Sequence, residues 1–148
     1  MKIVILVAAT SALAAATAVA QTVNEGGRKF SIQLTGEAEV TAAGVPNQGD
    51  LEGTGTAQVT VNVGQSRVCY ELEVDDIAPA TAAHIHVGAS TTTGAIVVPL
   101  DAPTDGDSSG CASITTDLAK QLISNPKNYY VNVHNSEFPG GALRGQLR

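Results

Sequence analysis

Period-two alternation in the middle of the chain constrains the fold more than any other feature. From Thr56 to Val63, Ala57, Val59, Val61 and Val63 alternate with Gln58, Thr60 and Asn62. Successive side chains of a strand point to opposite faces, so the run is a strand with one apolar and one polar side. Gly64-Gln65-Ser66 supplies a hairpin turn, and Arg67 to Val74 alternates again. Val68, Tyr70, Leu72 and Val74 take its inner face, and Arg67, Cys69, Glu71 and Glu73 its outer face.

The same logic extends along the chain. Lys29 to Leu34 alternates through Phe30, Ile32 and Leu34, and Glu37 to Val40 is expected to continue that strand past a kink at Gly36. Thr41 to Thr54 has loop composition, with glycines, Pro46, Asn47 and Asp50. Asp75 to Ala80 turns the chain into a strand around His84, and Ala95 to Leu100 is a short apolar strand stopped by Pro103. Asp101 to Gly110 reads as a loop. Around Thr115 or Thr116 the period changes: Leu118, Leu122 and Ile123 share a helical face, a Thr or Asp117 caps the start, and Asn125-Pro126 ends a two-turn helix. A strand follows from Tyr129, Pro139-Gly140-Gly141 turns it, and Ala142 to Leu147 closes the chain. About six to eight short strands with turns between them predict an all-β, antiparallel Greek-key sandwich or barrel with one short helix.

Lys2 precedes an apolar, alanine-rich run ending in Ala18-Val19-Ala20. That is the pattern of a cleaved secretory signal over residues 1–20, with a retained N-terminal helix as the competing reading. Residues 21–28 are polar and read as a flexible lead-in to one domain over 29–148. Cleavage leaves about 130 residues, enough for a single domain with its own core. The formal charge is −6. Acidity without a basic cluster argues against a nucleic-acid partner. No later run is long enough to span a membrane, so the expected product is secreted or periplasmic and carries no anchor.

Cys69 and Cys111 are the two cysteines. In an oxidising compartment they read as one disulfide. The alternative is two buried free thiols, which the polar, glycine-flanked setting of Cys111 disfavours. Because Cys69 falls on the outer face of its strand, the bridge is expected to tether a covering loop.

All three histidines fall in two strand-like segments, Ala82-Ala83-His84-Ile85-His86-Val87-Gly88 and Tyr129-Tyr130-Val131-Asn132-Val133-His134. His84 and His86 share one face, with Ala83, Ile85 and Val87 expected in the core beneath. His134 lies opposite Val131 and Val133, so all three imidazoles project outward. If the strands are neighbours, three nitrogen ligands converge, a set suited to copper or zinc with one position left open. The other reading is that these histidines hydrogen-bond to loops and lock them over the sheet. Arg144, on the final strand, is either an anion guide or a structural partner of Glu71, Glu73 or Asp76. Asp101, Asp105 and Asp107 do not match the spacing of a calcium loop. Gly-x-Ser-x-Gly, His-Glu-x-x-His and a phosphate loop are absent, so no catalytic residue is assigned.

Ala82, His84-Ile85-His86-Val87-Gly88, Gly94 and Val97-Val98-Pro99-Leu100 together resemble the CHRD domain, named after chordin. So do Asn125-Pro126, Tyr129 to His134, Pro139-Gly140-Gly141 and Arg144-Gly145-Gln146-Leu147. Ala142 departs from the pattern, standing where the family often has Glu. The resemblance covers most of Phe30 to Leu147 and implies a stand-alone bacterial-type secreted member. It implies an immunoglobulin-like or copper–zinc superoxide dismutase-like fold, and a non-enzymatic extracytoplasmic module that binds an unidentified protein or small ligand or serves a structural role. By analogy with the dismutase, His84, His86 and His134 become copper ligands and Arg144 a guide. That enzyme has a fourth copper histidine and a separate zinc site, for which this chain has no histidines left.

Overall fold

A computed structural model describes residues 26–148; the expected signal peptide and residues 21–25 lie outside the described residues. Eight strands form one antiparallel sheet: β1 (Arg28–Thr35), β2 (Thr54–Asn62), β3 (Arg67–Asp75), β4 (Ala80–Val87), β5 (Ile96–Leu100), β6 (Asp107–Ser113), β7 (Tyr129–Asn135) and β8 (Leu143–Gln146). Their spatial order is β5-β4-β7-β8-β1-β2-β3-β6. The sheet curls into a nearly closed barrel, the barrel branch of the expectation. Side chains bridge the seam between the edge strands. Ser108 Oγ donates to Asp101 O at 2.8 Å, and the Tyr70 hydroxyl accepts from Asp101 N at 2.8 Å while donating to its carboxylate at 3.0 Å.

The alternating residues do what their period predicts. Phe30, Ile32 and Leu34 of β1 and Val59 and Val61 of β2 point inward with almost no exposure. Leu72, Ile85, Val131 and Leu143 complete the interior from β3, β4, β7 and β8. Each large aliphatic or aromatic side chain so buried stabilises the fold by about 1.5–3 kcal/mol. The helix α1 (Thr116–Ser124) packs on this core through Ala119 and Leu122. Thr115 caps it, accepting from Leu118 N at 3.1 Å, and the chain leaves it at Asn125-Pro126. A single 3-10 turn (Pro126–Asn128) leads into β7.

Four expectations need correction. Glu37 to Val40 does not extend β1: Glu39 N and Gly49 N both donate to Gly36 O, at 3.1 Å each, which turns the chain back across the outside of the barrel. Val87 is 38% exposed rather than buried, because β4 ends there at the rim. Asp107 to Gly110 is strand, the first half of β6, despite its Ser-Ser-Gly composition. Its inner side must be small, since a Cβ on Gly110 would press on the Tyr70 hydroxyl. Consequently the Cys69–Cys111 disulfide tethers no loop; it joins directly opposed residues of neighbouring strands. Cys69 is buried and Cys111 exposed.

Candidate metal centre

β4 and β7 are hydrogen-bonded neighbours, with Ala82 opposite His134, His84 opposite Asn132 and His86 opposite Tyr130. Ala83, Ile85, Val131 and Val133 point into the barrel, so the intervening residues are forced to its outer wall. His134 therefore sits diagonally from His84. The ring centroids of His84 lie 5.1 Å from His134 and 5.4 Å from His86. One nitrogen from each ring falls within 4.8 Å of the others. The structure thus brings together all three histidines singled out from the sequence.

Two backbone carbonyls decide which nitrogens carry protons. His86 Nδ1 lies 2.9 Å from Gly94 O, and His134 Nδ1 lies 3.1 Å from Pro139 O. A carbonyl can only accept, so both Nδ1 atoms are protonated and both Nε2 atoms present lone pairs. His84 Nδ1 lies 3.3 Å from His134 Nε2 and donates to it. His86 Nε2 is buried and has no hydrogen-bond partner. Burial holds all three imidazoles below their ordinary pKa range. For His84 the neighbouring imidazoles add to that effect, whereas for His86 and His134 the carbonyl bonds oppose it. At neutral pH the cluster is uncharged, the state in which imidazole binds a metal.

Behind the histidines lies a buried polar network. His86 stacks on Tyr130 with centroids 4.9 Å apart and planes 6° from parallel. The Arg144 guanidinium lies 3.5 Å from the centre of the same Tyr130 ring. Arg144 is 1% exposed, and its acidic partner is Glu39 at 3.7 Å. The expected partners Glu71, Glu73 and Asp76 are thereby replaced by a residue from the loop that turns back over the wall. Asn132 Nδ2 donates to the Glu39 carboxylate and, at 3.0 Å, to Leu143 O. Gly141, at φ +140°, allows this: a Cβ there would strike both Glu39 and Asn132. Burial pushes the Glu39 carboxyl up by more than Val40 N, Arg144 and Asn132 draw it down. Burial likewise pulls the Arg144 guanidinium down.

Sequence reasoning placed the histidines but missed Glu39, the Tyr130 stack and the Gly94 and Pro139 carbonyls. Backbone acceptors leave no trace in residue type. Gly94, Tyr130 and Pro139 carried a hint only as residues of the motifs that resemble the CHRD domain. The disulfide bridges β3 and β6, away from this cluster in the strand order.

An antiparallel β-barrel carrying three converging imidazoles on one wall is the class of object that emerges. The CHRD domain family model matches residues 30–147, and the chain belongs to that family. Comparison with curated proteins and with solved structures gives no match. Among the described residues, no helix is long and apolar enough to cross a membrane.

Proposed function

We propose that this protein is an exported, non-enzymatic binding module whose ligand is a copper or zinc ion held by His84, His86 and His134. The observation that carries the reading is His86 Nε2, a buried acceptor with no partner beside two further imidazoles. A buried polar atom without a hydrogen bond costs about 1–3 kcal/mol, a cost that a bound ion would remove at this lone pair. Nitrogens around a tetrahedral ion with bonds of about 2.0–2.1 Å lie roughly 3.3 Å apart, so small rotations of His84 and His86 suffice. His84 would ligate through Nδ1 by moving its proton to Nε2, with no change of net charge. Partial exposure of His84 and His134 leaves a fourth position for water or a small ligand. Superoxide dismutase-like turnover on a bound copper ion is the competing enzymatic reading, and the lack of a fourth histidine counts against it.

Export is supported by the N-terminal Lys2-led apolar run and by a disulfide, a bond that persists in oxidising compartments. The competing reading, that the histidines are structural locks, draws on the His86–Gly94 and His134–Pro139 bonds. His84 separates the two, because among the described residues its ring bonds only to His134. The test is metal content and calorimetric titration of the signal-free protein with Cu²⁺ and Zn²⁺. Stoichiometric uptake that vanishes in His84→Ala while the urea midpoint barely moves establishes the metal site. No uptake at micromolar metal, with stability lost in His86→Ala and His134→Ala, returns the histidines to a structural role.

A further inference from the structure

The segment 88–95 crosses the outer wall between β4 and β5, and none of its side chains is buried. With no apolar anchor, its position depends on polar bonds alone. Arg144 Nη2 donates to Ala89 O at 2.8 Å and to Thr92 O at 2.9 Å. Gln146 Nε2 donates to Gly88 O at 2.7 Å, and Gly94 N donates to the Tyr130 hydroxyl at 3.3 Å. His86 Nδ1 donates to Gly94 O, and backbone bonds from Gly88 N to Asn128 O at 2.7 Å and from Val87 N to Ala95 O at 3.0 Å fasten the two ends.

We propose that this strap sets the metal affinity of the histidine cluster, with Gly94, Tyr130 and Arg144 as positioning residues for His86. The inference rests on the metal-binding reading above. Gly94 acts through both of its backbone polar groups. Its carbonyl keeps the proton on His86 Nδ1, which leaves Nε2 as the ligand atom, and its N–H is steered by Tyr130. No other residue fits, because a Cβ at position 94 would run into the Val87 carbonyl. Tyr130 acts twice as well: its hydroxyl holds the strap, and its ring holds the His86 plane within 6° of its own. Arg144 grips two strap carbonyls while its guanidinium sits on the Tyr130 ring. A ligand whose second nitrogen is bonded and whose ring is held by a stack is pre-organised, and losing such outer-shell partners typically lowers metal affinity 10–100-fold.

Tyr130→Phe tests this with little risk to the fold, since it keeps the ring stack and removes only the hydroxyl. Zn²⁺ and Cu²⁺ affinities are measured for wild type, Tyr130→Phe and Thr91→Ala, together with ¹⁵N shifts of the His86 ring and amide exchange at Gly94 in the metal-free protein. The expected result is an Nδ1–H tautomer at His86 in wild type. Tyr130→Phe should then bind at least about 10-fold more weakly and exchange faster at Gly94, with Thr91→Ala unchanged. Wild-type affinity in Tyr130→Phe overturns the role of the strap while leaving the metal site intact, and an Nε2–H tautomer at His86 overturns the strap's role together with the free lone pair on which the metal reading rests. A wild type that takes up neither ion overturns both.

Discussion

The two walls of the barrel have matching interiors and different exteriors. On β1, β2 and β3 the outward residues Lys29, Ser31, Gln33, Gln58, Glu71 and Glu73 are exposed, and the alternation reads as apolar in, polar out. On β4, β7 and β8 the outward row is also polar, yet most of it is buried, with His86 9% exposed, Tyr130 3%, Asn132 2% and Arg144 1%, while His84, His134 and Gln146 are half-buried. Loop 36–53 and strap 88–95 cover this wall, where β1 to β3 meet solvent. Polar groups cost free energy to bury unless each finds a partner, so stability alone would favour apolar residues here. The covered wall is where the chain gives up stability, and two of its buried nitrogens, His86 Nε2 and Arg144 Nη1, make no hydrogen bond among the described residues.

The sharpest way to break this contrast is to remove one charge from the covered wall. Arg144→Met strands the Glu39 carboxylate among buried groups, and losing one partner of a buried pair costs about 3–5 kcal/mol. Urea unfolding should show that loss, and Glu39→Gln added to Arg144→Met should recover part of it. If Arg144→Met changes stability by no more than an ordinary surface substitution, about 0.5 kcal/mol, the wall is not covered as described.

The open wall should depend instead on its covalent staple. Cys69 and Cys111 close a loop with a sequence separation of 42, for which chain-entropy reasoning gives about 3–4 kcal/mol. The paired Cys69→Ala, Cys111→Ala variant should lose that much. Amide exchange should accelerate first in β6, whose inward Ser108, Gly110 and Ala112 bury little apolar surface. Uniform acceleration across all eight strands would show that β6 is no weaker than the rest.

The difference between the walls also explains what was legible in the sequence. Strands β2 and β3 and the capped helix announce themselves through period, because solvent on one side enforces a pattern. The outward placement of His84, His86 and His134 followed from the same parity. The Glu39–Arg144 pair was not legible: it joins positions far apart in the chain, and Glu37-Ala38-Glu39-Val40 mimics a strand. Nor was β6, since Ser, Ser and Gly signal a loop, and only the bulk of Tyr70 explains why a strand there must be small.

A pH series sharpens the comparison further. As pH falls through about 6.5 the unfolded chain takes up protons on its histidines. In the native metal-free cluster burial resists this. The histidine contribution is thus complete above pH 6.5 and is lost as pH falls toward the lower native values. Glu39, raised by burial, works in the other direction: its contribution is present below about 4.5 and fades as pH rises through its native value. Midpoints should therefore drop between pH 7.5 and 6, and His84→Ala should flatten that slope. A slope unchanged in His84→Ala would place the titration elsewhere.

The smallest effect belongs to the open wall and has the opposite sign. Glu73 on β3 stands directly across the ladder from Asp107 on β6. Like charges facing each other between strands destabilise, and the chain as a whole carries −6. Both groups meet water, so the repulsion is screened and amounts to a few tenths of a kcal/mol at most. Glu73→Gln should then stabilise slightly at low salt, and the gain should shrink as ionic strength rises past about 0.15 M, where the Debye length is about 8 Å. A loss of stability in Glu73→Gln would mean that this carboxylate has a partner, and that the open wall shares the polar bonding that marks the covered one.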